Sequence, residues 1–344
     1  MNERIQLEWH EAHEWRVAGK GWAETRRPYD RLPGYAQKVL PQEVWDLSRY
    51  STGLYVEFET DSPEIHARWL LLTPRLALAH MPASAVSGVD LYAQEDSGHW
   101  RWVAVGSPEI GPQVQLRLTY GLTPGHRRYR LYLPLFNGVE SLAIGIPAGA
   151  YFQPQAPRIL PPIVVYGTSI VQGIAASRAG MCHTAILGRW LNHPIINLGL
   201  SGRGKMEIAV AELLAEIDAA IYVVDCLPNL EPPLVEERSL AFMSRLNELR
   251  GNTPLVLIED RTYANSWAVP LLAERNRQSR SILRNTRERL VEAGISNLYY
   301  IGGDTLLGDD DEATVDGTHP TDLGFMRIAE HLRPILATLI GRSV

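Results

Sequence analysis

The architecture of this chain is most clearly indicated by the segment Ile163-Val164-Val165-Tyr166-Gly167-Thr168-Ser169. Four consecutive β-branched or aromatic residues predict a strand that is buried on both faces, and the glycine ends it. The same order of apolar strand, polar loop and helix continues to the C-terminus. Further strands are predicted at residues 195–198, 220–224, 255–258 and 297–301, and helices at 181–191, 206–216, 234–249, 271–293 and 323–339. This alternation predicts a parallel sheet with helices on both faces.

The sequence changes character upstream of this stretch. Between residues 53 and 152, short segments alternate apolar and polar residues, which is typical of antiparallel strands with one solvated face. Prolines at 154, 157, 161 and 162 then form a stiff connection. We therefore predict an antiparallel β-sandwich domain over residues 1–155 and an α/β domain over residues 160–344. The first forty residues are expected to be irregular and to wrap around the sandwich.

The composition excludes several functional classes. The chain has 344 residues and a formal net charge of −6, which gives no reason to expect a nucleic acid or an anionic membrane as partner. It contains no apolar run of the roughly 18 to 20 residues that a membrane-spanning helix needs, and its N-terminus lacks the pattern of a secretory signal. A cytoplasmic location is therefore expected. Cys182 and Cys226 are the only cysteines, too few for a disulfide framework or a zinc set, and no cofactor is expected.

Polar residues follow each of the first three predicted strands of the α/β domain. Ser169 lies three residues after the first strand, Gly202 four after the second and Asn229 five after the third. Because parallel strands end at the same edge of a sheet, these loops are expected to meet there. The segment Asp316-Gly317-Thr318-His319-Pro320 lies between the fifth strand and the last helix, so it is expected at the same edge.

These residue types are those that ester chemistry requires. The hydroxyl of Ser169 becomes a useful nucleophile only when a base removes its proton, and His319 is the natural base. Asp316 is placed to hold the imidazole in the required tautomer. The backbone N–H groups of Ser169 and Gly202 and the side-chain amide of Asn229 are candidate donors to an oxyanion. The sequence therefore predicts a metal-independent serine esterase that works through an acyl-Ser169 intermediate.

Other interpretations of these motifs are weaker. Each loop taken alone also fits an ordinary turn or helix cap. The α/β-hydrolase motif Gly-x-Ser-x-Gly is not met, because Val171 stands at the position of the second glycine. The segment Gly199-Leu200-Ser201-Gly202-Arg203-Gly204 has neither the phosphate-loop ending nor the dinucleotide spacing. The segment His10-Glu11-Ala12-His13 has the wrong spacing for a zinc helix and no third ligand nearby.

Taken together, the four blocks resemble those of the SGNH/GDSL hydrolase superfamily, with Ser169, Gly202, Asn229 and His319 in the order of its name. Two blocks depart from the common pattern, since Thr168 replaces the usual aspartate before the serine and the third block is Asp225-Cys226-Leu227-Pro228-Asn229. Both variants are similar to a bacterial branch with an additional N-terminal domain. Its Gly-x-Asp-Leu-Tyr phrase is matched by Gly88-Val89-Asp90-Leu91-Tyr92.

The resemblance covers about residues 25–340. It implies a flavodoxin-like three-layer α/β/α hydrolase domain preceded by a jelly-roll-like β-sandwich domain. It also implies hydrolysis of small O-acyl esters, with acetyl on a carbohydrate as the leading expectation. An acyltransferase that uses the same serine is an alternative, and a non-catalytic glycan-binding protein is an alternative of another class. The expected partner is a small acylated substrate, and a homo-oligomer is left open.

Four further residues are candidates for substrate binding. Arg261, Tyr263 and Trp267 follow the fourth predicted strand and so border the same edge. They would either contact a polar acyl acceptor such as a sugar or anchor a long loop. Asp90, in the Gly-x-Asp-Leu-Tyr phrase, would either reach the site from the sandwich or fix the domain interface, and the interface is the favoured interpretation.

Overall fold

The computed structural model describes residues 5–342, which form two compact units. The N-terminal unit contains the described residues up to Pro33, together with Arg49–Ile159 and Ser177–Gly180. The C-terminal unit contains Gly34–Ser48, Leu160–Ala176 and the chain from Met181 onward. Residues 34–48, which the sequence places with the sandwich, thus belong to the C-terminal unit, where the Tyr35 hydroxyl donates a hydrogen bond to Glu216.

The N-terminal unit is built from two antiparallel sheets. Its strands are β1 (Leu7–Glu11), β2 (Tyr55–Thr60), β3 (Glu64–Leu71), β4 (Val89–Gln94), β5 (Trp100–Gly106), β6 (Gln113–Tyr120), β7 (Arg127–Tyr132), β8 (Val139–Pro147) and β9 (Phe152–Gln155). One sheet has the strand order β1-β8-β3-β6 and the other has the order β5-β4-β7-β2-β9. Alternate residues of both sheets face one shared apolar core, including Phe58, Trp69, Leu131 and Ile144. The predicted antiparallel sandwich is confirmed.

One strand lies where irregular chain was expected. Residues Leu7–Glu11 pair with β8 along their whole length as β1. A five-residue segment carries too little alternation to predict a strand. Its extended conformation is stabilised by hydrogen bonds to a partner more than 130 residues away, so only the assembled sheet makes it a strand.

The C-terminal unit contains a five-stranded parallel sheet. Its strands are β10 (Ile163–Gly167), β11 (Ile195–Gly199), β12 (Ile221–Asp225), β13 (Leu255–Ile258) and β14 (Leu298–Ile301), in the order β11-β10-β12-β13-β14. The first four are completely buried, as continuous apolar strands with helices on both faces should be. This order is that of flavodoxin-like sheets, in which ligands bind beside the first strand where the winding direction reverses.

The helices agree with the sequence pattern to within three residues at each end, apart from short additional turns. They are α1 (Gln42–Ser48), α2 (Ala83–Val86), α3 (Ser169–Gln172), α4 (His183–Trp190), α5 (Ile208–Leu214), α6 (Pro232–Arg250), α7 (Pro270–Glu292) and α8 (Asp322–Leu339). Only α2 belongs to the N-terminal unit. None of the helices between residues 5 and 342 is long and apolar enough to cross a membrane. Neither Cys182 nor Cys226 is in a disulfide, and both side chains are buried.

Candidate active site

Ser169 lies just beyond the carboxyl end of β10, which is flanked in the parallel sheet by β11 and β12. The last residue of β10, Gly167, is in register with Gly199 of β11 and with Asp225 of β12. Thr168 then caps α3 by accepting a hydrogen bond from the backbone N–H two residues later. Ser169 is therefore the first residue of a one-turn helix.

Asp316 and His319 lie on one tight turn. Asp316 Oδ1 accepts hydrogen bonds from the backbone N–H groups of Thr318, at 3.1 Å, and of His319, at 2.9 Å. The carbonyl of Gly317 accepts a further hydrogen bond from the N–H of Ala264, at 2.9 Å. The turn is thus held internally by the carboxylate and externally by the loop that follows β13.

The structure brings Ser169, His319 and Asp316 into one hydrogen-bonded chain. Ser169 Oγ lies 3.0 Å from His319 Nε2, and His319 Nδ1 lies 2.7 Å from Asp316 Oδ2. Burial acts to raise the pKa of Asp316, but hydrogen bonds from the His319 ring and from two backbone N–H groups lower it, and the net direction is downward. An ionised Asp316 accepts from Nδ1–H, which leaves Nε2 with a lone pair for the proton of Ser169.

Three N–H groups are candidate oxyanion donors. The backbone N–H groups of Ser169 and Gly202 and the side-chain Nδ2 of Asn229 have no hydrogen-bond partner among residues 5–342. The free N–H of Ser169 follows from its place in the first turn of a helix. Asn229 Oδ1 is also buried without a partner in the described chain. The three N–H groups are therefore free to donate to an oxygen of a ligand.

The turn that contains Gly202 folds back onto the end of β10. The N–H of Leu200 donates to the carbonyl of Gly167 at 2.9 Å, and a Cβ added to Gly204 would lie 2.2 Å from the same oxygen. Gly202 itself has a φ of +70° and open space where a Cβ would stand. The left-handed backbone therefore explains why position 202 is a glycine, and no neighbouring atom would clash with a Cβ there.

Arg275, which the sequence did not single out, holds the loop that carries Asn229. Its Nη2 donates to the carbonyls of Pro228, at 3.2 Å, and Leu230, at 3.1 Å, on either side of Asn229. Its Nη1 donates to the hydroxyl of Tyr263 at 2.7 Å. Arg275 is one of many arginines on α7, and no sequence signal distinguishes it from exposed ones such as that at position 277.

The prediction that Arg261 contacts substrate is wrong. Its side chain is 2% exposed, and its two terminal nitrogens donate to both carboxylate oxygens of Asp225 at 2.5 and 2.6 Å. Because Asp225 ends β12 directly before the Asn229 loop, this buried ion pair ties two loops of the site together. Burying the Asp225 carboxylate without a partner would be strongly destabilising, and the ion pair with Arg261 offsets this cost.

The structure also contradicts the substrate-binding prediction for Asp90. Its side chain is completely buried within the N-terminal unit. It accepts hydrogen bonds from Trp102 Nε1 at 3.0 Å, from Arg178 Nη1 at 2.8 Å and from the N–H of Gly180 at 2.8 Å. Such a carboxylate orders residues 177–180 and is not available to a substrate.

Tyr263 and Trp267 remain predictions as substrate contacts. The Tyr263 hydroxyl accepts from Arg275 and interacts with Thr318 beside His319. Burial and the nearby Asp260 carboxylate raise the pKa of Tyr263 to about 12, so its hydroxyl keeps its proton at neutral pH. Trp267 is 82% exposed, on the loop between β13 and α7. Its indole is thus accessible to a ligand.

Within residues 5–342 no group of three or more His, Cys, Asp or Glu side chains is arranged to hold a metal ion.

Residues 161–337, just over half of the chain, match the model of the GDSL-like lipase/acylhydrolase family. The chain belongs to the GDSL-like lipase/acylhydrolase family. Residues 7–152 match a second model, described as the N-terminus of SGNH-hydrolase-type esterases. The predicted superfamily and its branch are confirmed.

Solved structures similar to this GDSL-like chain cover nearly all of it. A protein from Bacteroides ovatus ATCC 8483, described provisionally as a GDSL-like lipase, is 34% identical, with a TM-score of 0.93 over 97% of this chain and 98% of its own. A salicylyl acyltransferase from a tetracycline biosynthetic pathway is 18% identical, with a TM-score of 0.76 over 97% and 98%. A family two carbohydrate esterase from Clostridium thermocellum is 12% identical, with a TM-score of 0.59 over 84% and 93%. The last two show the shared fold, and no curated protein matches the chain.

Proposed function

We propose that this GDSL-like chain is a serine esterase that hydrolyses small O-acyl esters, acetyl above all, on a carbohydrate. The observation that carries the proposal is the continuous hydrogen-bonded chain from Ser169 Oγ through the His319 ring to Asp316 Oδ2. A serine, a base within reach and a carboxylate that orients the base are the three groups that nucleophilic acyl transfer requires.

The first half of the reaction follows from this geometry. Ser169 Oγ attacks the ester carbonyl while its proton passes to His319 Nε2, and the carbonyl π-electrons move to oxygen. The N–H groups of Ser169 and Gly202 and the amide of Asn229 receive that oxyanion. When the tetrahedral intermediate collapses, the C–O bond to the alcohol breaks, and the leaving oxygen takes the proton from Nε2. The acyl group then remains on Ser169.

The second half repeats these steps with water. His319 Nε2 takes a proton from water as its oxygen attacks the acyl carbon, and the same three donors receive the oxyanion. Collapse breaks the bond to Ser169 Oγ, which regains its proton from Nε2, and the carboxylic acid departs. Asp316 stays ionised throughout and stabilises the imidazolium that forms in each half.

Two observations support a carbohydrate as the substrate: an exposed aromatic side chain on the loop after β13 and the fold shared with a carbohydrate esterase. Trp267 presents an exposed indole on that loop, and sugar rings stack on such surfaces through their apolar faces. A carbohydrate esterase shares the fold over most of its length. The lowered pKa of Asp316 keeps this carboxylate ionised at neutral pH, as the mechanism needs.

The test is hydrolysis of p-nitrophenyl acetate and of a panel of acetylated sugars by the wild type and by Ser169→Ala. We expect the variant to lose at least about 10³-fold in kcat. Ser201→Ala is the matched control, because its serine lies in a neighbouring loop and the structure gives its hydroxyl no role. A Ser169→Ala rate equal to that of the wild type would refute the proposal.

Acyl transfer to an alcohol is the second candidate, since an acyltransferase shares the fold over 97% of this chain. In that case an acceptor hydroxyl replaces water in the second half of the reaction. Product analysis with sugar acceptors separates the two activities, because transfer in excess of hydrolysis identifies a transferase. A non-catalytic glycan-binding protein would bind sugar but leave Ser169 unlabelled by a fluorophosphonate.

A further inference from the structure

The N-terminal unit carries an open cavity on the outer face of one of its sheets. The cavity lies on the sheet β1-β8-β3-β6, away from the shared core, and has a volume of about 380 Å³. We call it the sheet trough. The side chains that define it are Glu11, Arg68, Leu70, Gln113, Gln115 and Ser141. Its volume lies within the roughly 300 to 1,000 Å³ of typical ligand sites.

The strand register explains why there is a trough. Arg68 on β3 is flanked by Ala143 on β8 and by Gln115 on β6. At the next outward position, Leu70 is flanked by Ser141 on β8. Side chains opposite each other share a face of the sheet. Ala143 on β8 therefore lies between Glu11 on β1 and Arg68 on β3, and Leu70 on β3 lies between Ser141 and Gln113. Leu70 and Ala143 therefore form the floor, and longer polar side chains of β1, β3 and β6 stand beside it.

The charged end of the trough is held in place. Arg68 Nη2 donates to Glu11 Oε1 at 2.6 Å, and the guanidinium lies 4.5 Å from the centre of the Trp9 ring. The indole of Trp9 in turn lies on Gly145, where a Cβ would be 2.9 Å from it. Arg68 thus has a fixed position and still has unused N–H donors. The two opposite charges compensate each other, so this end carries no net charge.

The rest of the trough offers uncommitted polar groups above an apolar floor. The side chains of Gln113, Gln115 and Ser141 are exposed, and none has a hydrogen-bond partner among residues 5–342. Two amides and one hydroxyl together supply both donors and acceptors. Leu70 and Ala143 provide apolar surface between them. The lining therefore suits an uncharged ligand with many hydroxyl groups and an apolar face.

We propose that the sheet trough binds a neutral oligosaccharide segment of a polysaccharide. Each sugar unit presents hydroxyls that both donate and accept and C–H groups that pack on apolar side chains, which is what the lining complements. The compensated Glu11–Arg68 pair favours a neutral chain over an anionic one. This binding site is separate from the residues of the proposed esterase reaction, and sugar binding at the trough does not require that reaction.

The test is affinity electrophoresis of the full chain in native gels that contain neutral arabinoxylan, glucomannan or mixed-linkage β-glucan, each soluble and without charge. We expect the wild type to be retarded by at least one of them. The double variant Gln113→Ala/Gln115→Ala should weaken the apparent Kd about tenfold, because two neutral hydrogen bonds are lost. Ser141→Trp, which fills the trough, should abolish retardation. Gln153→Ala on β9, in the other sheet, is the control and should leave it unchanged.

Three outcomes would overturn the proposal. The first is that none of these polysaccharides retards the wild type. The second is that the trough variants are retarded like the wild type while a fluorophosphonate on Ser169 abolishes retardation, which would place sugar binding at the proposed active site. The third is that Ser141→Trp changes the oligomeric state in sedimentation experiments with no effect on retardation, which would make the trough a protein contact. Ester hydrolysis by the trough variants should stay at the wild-type rate on p-nitrophenyl acetate, so failure here leaves the esterase proposal standing.

Discussion

Replacing Asp316 by asparagine is expected to harm catalysis more than replacing it by alanine. In the structure Asp316 Oδ1 accepts from two backbone N–H groups, those of Thr318 and His319, and Oδ2 accepts from His319 Nδ1. An asparagine must keep its carbonyl oxygen towards the two backbone donors, because an NH₂ group there would face N–H groups. Its NH₂ then points at Nδ1 and requires that atom to be an acceptor.

This arrangement selects the wrong tautomer of the base. With Nδ1 as acceptor, the ring proton moves to Nε2, which then faces Ser169 Oγ at 3.0 Å as a donor and cannot take its proton. The loss of general-base catalysis and of tautomer control is worth about 10³- to 10⁴-fold in kcat, or about 4 to 5.5 kcal/mol of barrier. In Asp316→Ala the ring is free to adopt either tautomer, so its loss should be smaller.

The assay is kcat and KM for p-nitrophenyl acetate at pH 7 for the wild type and both variants, with folding checked by circular dichroism. KM should change little, because Asp316 acts on the base. An Asp316→Asn enzyme within tenfold of the wild type, or one more active than Asp316→Ala, would show that the hydrogen-bond pattern does not control the tautomer.

The same carboxylate predicts a pH dependence of stability. The net hydrogen bonding lowers the pKa of Asp316 below its ordinary value of 3.8. A carboxyl group whose pKa is lower in the folded state than in the unfolded state stabilises the folded state at pH values above the unfolded-state pKa. This stabilisation is lost as the pH falls through the folded-state pKa. The difference in Tm between the wild type and Asp316→Asn should therefore be present at pH 6 and shrink below about pH 4. A difference that grows on acidification would contradict this reasoning.

Three further substitutions test the loops around the site. Arg275→Met should lower kcat about 10- to 100-fold with little change in KM, because the loop carrying one oxyanion donor loses its anchor, whereas Arg277→Met on the same helix should be neutral in both constants. Arg261→Met should lower the free energy of unfolding by about 3 to 5 kcal/mol, because it leaves a buried carboxylate unpaired. The KM of the folded variant should be unchanged. A raised KM at an unchanged Tm would instead indicate that Arg261 binds substrate. Gly204→Ala should cost about 3 kcal/mol or more in urea unfolding because its Cβ meets a backbone carbonyl, while Gly202→Ala should cost only about 1 to 2 kcal/mol for its positive φ, and equal costs would contradict the packing described.

The local elements and the identity of the reacting groups could be predicted from the residues alone. Continuous apolar runs such as Ile163–Gly167 are buried on both faces wherever they occur in a parallel sheet, so their composition predicts strand and layer together. The order of the strands then requires Ser169 and the Asn229 loop to emerge at one edge. Because Asp316 and His319 are close in the sequence, their contact could also be predicted locally. These inferences needed no knowledge of long-range packing.

Which polar side chains hold the site and which remain free depends on long-range packing. Arg261 and Arg275 look alike in the sequence, yet one is buried against Asp225 and the other holds the carbonyls beside Asn229. Asp90 likewise proved to be an internal hydrogen-bond acceptor. The physical reason is that the burial of a charge depends on partners distant in the chain, and a single sequence contains no record of those distances. The strand Leu7–Glu11 depended on a distant partner in the same way, since its backbone is ordered only by pairing with β8.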